Sequence, residues 1–310
     1  MKKILVLGAS SFAGSSFFEY LNNNFNYKIL GTYNSKKNLT KLFNNKKIFK
    51  RLVKLNLNNN NHKLLDIVKK FKPEYIFDFA SICLVNESWN NPKYYFNVNL
   101  NSKLELISCL HKIQFLKKFI YISTPEVFGS NNKSINENNK YFKPSTPYAL
   151  SKLSCEQTLL NYNNSFKKKS IITRFSNMYG LRQMKHRLIP KLIDCIKNNK
   201  KFPLQGNGLS KRNFIFENDF NKALIKVMNK GVNGQTYHFA SDEYFTIKDV
   251  IKLVCKLYKV NFDNLIYYTS DRIGKDKNYF LNCSYTKKKL KWSPRYSLKS
   301  GIMKMMSYHN

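Results

Sequence analysis

Lys3-Ile4-Leu5-Val6-Leu7-Gly8-Ala9-Ser10-Ser11-Phe12-Ala13-Gly14 decides how this chain is read. The run from Lys3 to Leu7 has the length and apolar character of a strand buried on both faces. Gly8-x-x-Ser11-x-x-Gly14 follows it and opens a helical pattern that runs to about Leu21. Glycine at 8 permits a tight turn, and glycine at 14 lets the helix pack closely. Backbone N–H groups at the helix start then suit a pyrophosphate. Ser11 stands where many such turns carry glycine, so the motif alone also fits an ordinary strand-to-helix loop. The lysines at 2 and 3 resemble the start of a signal peptide. Gly8, Ser10 and Ser11 break the apolar run too early for one, so a first strand is the better reading.

Outward from this turn, strand and helix patterns alternate. Lys28 to Thr32 reads as a second strand and Ile48 to Leu55 as a third, followed by a helix from Leu64 to Phe71. Tyr75 to Ala80 is a strand, Tyr95 to Lys112 a helix and Phe119 to Ser123 a strand. A helix from Tyr148 to Tyr162 and a strand from Ser170 to Phe175 complete the run. Such alternation implies a parallel, doubly wound, Rossmann-like α/β sheet with helices on both faces. Beyond Asn177 the alternation loosens. Leu188 to Asn198 and Thr246 to Tyr258 are helical, Gly206-Asn207-Gly208 is a turn, and Asp271 to Leu298 is polar, with loop character around Gly274 and Pro294. The expected organisation is a dinucleotide-binding domain over 1–176, with a segment returning at about 212–240. A smaller α/β substrate-binding lobe is expected over 177–211 and 241–310.

Composition bounds the function. The chain has 310 residues, 54 Lys+Arg against 18 Asp+Glu, and a formal charge of +36. The lysines are scattered, asparagine runs accompany them, and no nucleic-acid-binding signature is present. The charge therefore reads as the drift an AT-rich genome produces, with no nucleic acid as partner. It can still attract an anionic substrate. No apolar run is long enough to cross a bilayer. The six cysteines form no Cys-x-x-Cys pair and no histidine cluster joins them, so free thiols in a reducing cytoplasm are expected and a metal site is not. Trp89 and Trp292 read as core.

The chemistry centres on Pro147-Tyr148-Ala149-Leu150-Ser151-Lys152. Tyr148 and Lys152 share a helix face at i and i+4. Thr146 is placed to cap that helix, and Pro147 suits its first turn. A nearby ammonium favours a phenolate and makes Tyr148 a better base for a sugar hydroxyl. At the end of the second strand, Tyr33-Asn34-Ser35-Lys36-Lys37 holds no carboxylate for an adenosine ribose. A basic, hydroxyl-bearing loop suits a 2′-phosphate, so the cofactor is NADP or NAD, with NADP the preferred of the two.

Several ordered stretches together resemble the extended short-chain dehydrogenases/reductases, and among them the nucleotide-sugar 4,6-dehydratases. These are the Gly8–Gly14 turn, Asp78-Phe79-Ala80-Ser81, Asn99, Ser123-Thr124-Pro125-Glu126-Val127-Phe128-Gly129, and Pro144 through Lys152. Arg174 through Gly180, Lys211 through Ile215, Asp271 through Asp276 and Leu290-Lys291-Trp292-Ser293-Pro294 extend the likeness over nearly the whole chain. The resemblance implies that Tyr148 deprotonates the C4 hydroxyl of a nucleoside-diphosphate sugar while hydride passes to the nicotinamide. Lys152 would hold the nicotinamide ribose and lower the tyrosine pKa, and Thr124 would hydrogen-bond the C4 oxygen. Glu126 would remove the C5 proton, water would leave, and hydride would return to C6. It assigns to the cofactor Gly8, Ser10, Ser11, Phe12, Gly14, Asn34, Ser35, Lys36, Asn56, Leu57, Phe79, Ala80, Ser81 and Asn99, besides Tyr148 and Lys152. Ser123, Asn177, Arg212 and Arg272 fall to the substrate, and a homodimer is implied. One position departs from the pattern. The dTDP-glucose enzymes resemble Thr-Asp-Glu here, and Pro125 cannot donate the proton that aspartate donates. The GDP-mannose enzymes resemble Thr-Ser-Glu and also lack that acid. The alternatives are 4-epimerisation or decarboxylation, which share the C4 oxidation, or a non-catalytic protein that binds a nucleotide sugar or a nucleic acid.

Overall fold

The computed structural model describes residues 1–36, 39–43, 45–58, 61–271, 273–274 and 276–309. The first strands in chain order are β1 (Lys3–Leu7), β2 (Lys28–Tyr33), β3 (Leu52–Lys54), β4 (Tyr75–Asp78), β5 (Lys118–Ser123) and β6 (Ser170–Phe175). Short strands β7 (Asn177–Tyr179), β8 (Phe202–Gln205), β9 (Lys211–Arg212) and β10 (Phe214–Phe216) come next. The chain then returns as β11 (Thr236–Phe239) before β12 (Phe245–Thr246) and β13 (Ile266–Thr269). Seven strands form the main sheet in the order β11-β6-β5-β4-β1-β2-β3, and every pairing in it is parallel.

Side chains alternate across β1. Ile4 and Val6 pack with Phe17, Phe18, Phe220 and Leu224, on the helices Phe12–Asn24 and Glu217–Lys230. Leu5 and Leu7 pack with Leu64, Val68, Leu106 and Leu159 on the opposite face, from helices Asn61–Phe71, Ser102–Cys109 and Pro147–Ser165. With both faces covered, the strands read as continuous apolar runs rather than alternating ones. A separate core forms between helices Leu188–Lys197, Ile247–Tyr258 and Leu298–His309, around Leu192, Ile193, Val250, Val254 and Ile302.

The chain runs from β1 outward to β2 and β3, then crosses back to place β4 on the other side of β1. Ligands of open α/β sheets bind outside the strand ends at such a reversal. Here that point lies between Gly8, after β1, and Phe79-Ala80, after β4.

Three local readings need correction. The third strand is only Leu52–Lys54, because Lys46–Arg51 winds into a 3-10 helix capped by Asn45. The long helix expected from Tyr95 is broken by a π-helical stretch at Asn97–Asn101. Trp89 is 46% exposed and is not core, whereas Trp292 is buried.

Candidate active site

The phosphate turn is built as its glycines require. Gly8 has φ +74°, a region that favours glycine, and a Cβ there would lie 2.7 Å from the Ala80 nitrogen. A Cβ on Gly14 would lie 2.3 Å from the Gly8 carbonyl oxygen. Ser11 caps the helix: its hydroxyl donates to Gly8 O at 2.8 Å and accepts from Gly14 N at 3.0 Å. The Gly8 N–H donates to Thr32 Oγ1 at 2.9 Å, which ties the turn to β2. Serine at 11 is thus an N-cap that holds the turn closed, which accounts for a hydroxyl where glycine was expected.

Above this turn lies an open cavity. Gly8, Ser10, Ser11, Asn34, Asn56 and Leu57 line it, with Phe79, Ala80 and Ser81 on the other side of the reversal. Thr32, Tyr33, Leu55, Ile82, Tyr94 and Val98 also face it and were not anticipated from the sequence. An elongated, partly apolar cleft against a tight glycine turn and a helix N-terminus fits a dinucleotide. Phe12, Gly14, Ser35 and Lys36 stand beyond this lining. Lys37 lies outside the described residues. Asn99 also stands off this lining. It is wholly buried, accepts from Ile82 N at 2.8 Å, and donates to Ile82 O at 3.2 Å and Ser151 Oγ at 2.9 Å. Its amide holds the cavity wall to the helix that carries Tyr148.

That helix starts as the sequence reading anticipates. Thr146 accepts from Ala149 N at 3.2 Å, and Pro147 occupies the first turn. Tyr148 and Lys152 are both buried on it. Glu156, farther along, is pinned to β6 by Arg174, whose Nη2 lies 2.5 Å and Nε 3.1 Å from its carboxylate oxygens. The Arg174 guanidinium also stacks 4.7 Å from the Phe128 ring centre, in the turn that carries Glu126. One buried arginine therefore locks the Tyr148 helix to the Glu126 turn. That turn is a 3-10 segment, Pro125–Phe128, with Thr124 as its N-cap; Thr124 Oγ1 accepts from Glu126 N at 3.3 Å. Proline is suited to its first position because the missing N–H has no intrahelical partner to lose.

The electrostatics depart from expectation. The Tyr148 hydroxyl is pushed well above its ordinary value, first by burial, then by the charge of Glu126 and by Cys83. A hydrogen bond with Thr124 and the Arg187 guanidinium work the other way. Lys152 is not among these leading influences, so the depression expected from it is overturned by burial. The Lys152 ammonium instead donates to Ile122 O at 2.7 Å and to Ser81 Oγ at 3.4 Å, and sits 4.1 Å from the Tyr121 ring centre. Burial and the neighbouring Lys103 bring its pKa down to about 8.

Two of the residues that the resemblance assigns to the substrate, Asn177 and Arg212, meet at Tyr279. Asn177 Oδ1 accepts from the Tyr279 hydroxyl at 2.6 Å, and Arg212 lies over the Tyr279 ring at 4.2 Å. The Arg212 guanidinium donates to the carbonyls of Asp276 at 2.6 Å and Lys277 at 3.0 Å. Glu126 is among the groups that raise Tyr279, after burial. Ser123 Oγ is buried and finds no partner among the described residues, an orphan that a substrate hydroxyl suits. Arg272 lies outside the described residues. Tyr279, Cys83 and Arg187 carry no local signal in the sequence; Arg187 Nη2 donates to Cys83 Sγ at 3.0 Å, across a separation of 104 residues. Among the described residues, no group of three or more His, Cys, Asp or Glu is placed to hold a metal ion.

The family model for GDP-mannose 4,6-dehydratase matches residues 5–305. The chain belongs to that family. The human dTDP-D-glucose 4,6-dehydratase is 29% identical over 320 residues, covering 99% of this chain and 90% of the human protein. The crystal structure of dTDP-glucose 4,6-dehydratase from Bacillus anthracis in complex with NAD superposes with a TM-score of 0.88 at 27% identity. It covers 100% of this chain and 96% of that one. The UDP-glucuronic acid 4-epimerase of Bacillus cereus, solved with UDP-glucuronic acid and NAD, also reaches 0.88, at 25% identity, covering 99% and 98%.

Proposed function

We propose that this protein is a nucleotide-sugar 4,6-dehydratase, a lyase of the extended short-chain dehydrogenase/reductase type. The observation that carries the reading is the convergence of Thr124, Glu126 and Tyr148 at one point. Thr124 Oγ1 accepts from Glu126 N at 3.3 Å, and both residues act on the Tyr148 hydroxyl, Glu126 raising its pKa and Thr124 lowering it. A C4 oxidation needs the tyrosine; only removal of a C5 proton gives the carboxylate something to do. The NAD(P) cofactor, when bound, supplies a hydride acceptor and, oxidised, a positive charge. Gly8, Ser10, Ser11 and Ala80 would hold it, with Lys152 on its ribose. Tyr148 accepts the C4 hydroxyl proton, and Thr124 orients the C4 oxygen. Glu126 takes the C5 proton and, with Pro125 unable to act as acid, delivers it to the departing C6 hydroxyl. The hydride removed from C4 would then return to C6, and the proton held on Tyr148 would pass by way of Glu126 to C5, so that the net loss is one water. Asn177, Arg212 and Arg272 are proposed to hold the diphosphate, since a guanidinium fork suits phosphate oxygens.

Incubation with a panel of nucleoside-diphosphate sugars tests the reading. A product 18 mass units lighter, trapped as a 4-ketone, is expected. Interconversion of sugars without mass change would favour the 4-epimerase reading, which the likeness to the B. cereus enzyme keeps in view. For the cofactor, NADP is proposed over NAD on the absence of a carboxylate in Tyr33-Asn34-Ser35-Lys36. Replacing Lys36 and Lys37 with alanine should weaken NADP far more than NAD, and less so at high salt. Equal weakening of both would reject the preference. A homodimer in the cytoplasm, with neither nucleic acid nor membrane as partner, completes the proposal. Six thiols, all free, fit a reducing compartment, and among the described residues no helix is long and apolar enough to cross a membrane. Light scattering at micromolar concentration would report the dimer.

A further inference from the structure

A second lysine lies behind the catalytic one. Lys103, on the Ser102–Cys109 helix, is fully buried, as is Asp78 at the end of β4. Their charged atoms are 2.8 Å apart. Burying an ion pair is costly unless its geometry is good and its remaining hydrogen bonds are made. Here both members grip the same residue. Asp78 Oδ1 accepts from Ala80 N at 3.0 Å, and Lys103 Nζ donates to Ala80 O at 2.7 Å. Ala80 is the residue against which Gly8 packs, and its neighbour Ser81 reaches the Lys152 ammonium. The Tyr121 ring lies between the two lysines, 5.4 Å from Lys103 Nζ and 4.1 Å from Lys152 Nζ.

We propose that Lys103, paired with Asp78, is a positioning residue for Lys152: it clamps the Asp78–Ser81 turn and sets a second ammonium behind the catalytic one. A tether alone needs no charge, since an uncharged hydrogen-bonding pair spans a turn at a lower desolvation cost. What the charged pair adds is a like charge next to Lys152. After burial, Lys103 is the strongest influence that lowers the Lys152 pKa; Asp78, Cys155 and Glu156 oppose it. Those four groups and the Tyr121 ring face Lys152 from the 102–109 helix, β4, β5 and the 147–165 helix. With its pKa held at about 8, Lys152 loses its charge just above neutrality. The pair would thereby fix the alkaline edge of any reaction that needs the Lys152 ammonium.

The inference rests on Lys152 serving Tyr148, as in the proposed function, and its test reads Lys152 directly as well as turnover. The whole chain, labelled with carbon-13 at lysine Cε, is titrated by NMR, with the Lys152 signal identified by its loss in Lys152→Met. In parallel, the pH profile of kcat is recorded for wild type, Lys103→Met and Lys103→Arg. Lys103→Met should move both the Lys152 titration and the alkaline limb upward from about 8 toward the ordinary lysine value near ~10.4. Lys103→Arg, which keeps the charge, should leave both near wild type. Where Lys103→Met fails to fold, the neutral Asp78→Asn/Lys103→Met pair replaces it and should shift in the same direction, by less. A folded variant with lower kcat but an unmoved Lys152 titration would overturn the proposal and leave Lys103 as packing. Absence of dehydratase turnover in wild type, with the NMR shift present, would sink the functional reading and spare this one.

Discussion

Glu126 is the side chain on which the two chemistries open to Tyr148 divide. A dehydratase must remove the C5 proton, and a 4-epimerase must not. In heavy water the wild-type enzyme should therefore place deuterium at C5 of its product. Glu126→Gln keeps the shape and hydrogen-bonding capacity of the side chain but removes the basic carboxylate. It should stop deuterium incorporation and water loss while C4 oxidation continues, so that reduced cofactor accumulates and its absorbance rises. Turnover of the sugar with no deuterium at C5 in wild type would remove the dehydratase reading. The variant should also relieve Tyr148, because the Glu126 charge is one of the influences that raise its pKa. Tyr148→Phe removes the proton acceptor itself. It should lower kcat by roughly 10²–10⁴-fold with substrate affinity nearly intact, as measured by equilibrium binding. Near-normal turnover would remove Tyr148 as the base.

The phosphate turn and the Tyr148 helix are the elements on which the site depends, and both could be read in the sequence because their signals are local. A strand of apolar residues, a glycine at a fixed offset, a capping threonine and a proline at the first turn each act within a few residues. The structure returns them as Lys3–Leu7, Gly8 at positive φ, and a Thr146 cap. Other features depend on partners distant in the chain. The Glu217–Lys230 helix has an amphipathic face, but what it covers is set by Phe17 and Phe18, some 200 residues earlier in sequence. Tyr279 reaches Asn177 across 102 residues, and Arg187 reaches Cys83 across 104. Trp89 misled because a large apolar side chain usually seeks the core, yet this one is nearly half exposed. At the turn itself, Gly14→Ala would push a Cβ to 2.3 Å from the Gly8 carbonyl, a backbone atom that cannot swing aside. Overpacking of this kind costs about 1–3 kcal/mol. Calorimetry should show a Tm lower by several degrees, together with weaker dinucleotide binding. An unchanged Tm and unchanged affinity would show that the turn tolerates the methyl group and that close packing there is not what holds the cofactor.

For the molecule as a whole, the excess of positive charge is the property still to be connected to function. The formal charge of +36 is carried almost wholly at the surface, since the buried carboxylates Glu19, Asp78, Glu156, Glu217, Asp219 and Asp276 are nearly offset by the buried cations Lys103, Lys152, Lys169, Arg174 and Arg212. A nucleoside-diphosphate sugar is an anion, and a protein of one dominant sign raises its local concentration and speeds encounter. Such long-range attraction is screened over about 10 Å at 0.1 M salt and about 3 Å at 1 M. The expected outcome is that kcat/KM falls roughly tenfold or more between these salt concentrations, while kcat, measured at saturation, holds. That division follows because screening acts on encounter, whereas Tyr148, Lys152 and Arg212 are buried and buried groups are screened much less. If kcat falls in step with kcat/KM, salt is acting on the buried site and the steering account fails. A polyanion sets the complementary test. Nonspecific attraction to a nucleic acid rests on exposed lysines and weakens steeply with salt through counterion release. DNA of arbitrary sequence should therefore compete with the sugar nucleotide at low salt and lose its hold at about 0.15 M. Competition that persists undiminished at that concentration would mean that the charge serves a second, macromolecular partner, and the proposal of none would fall.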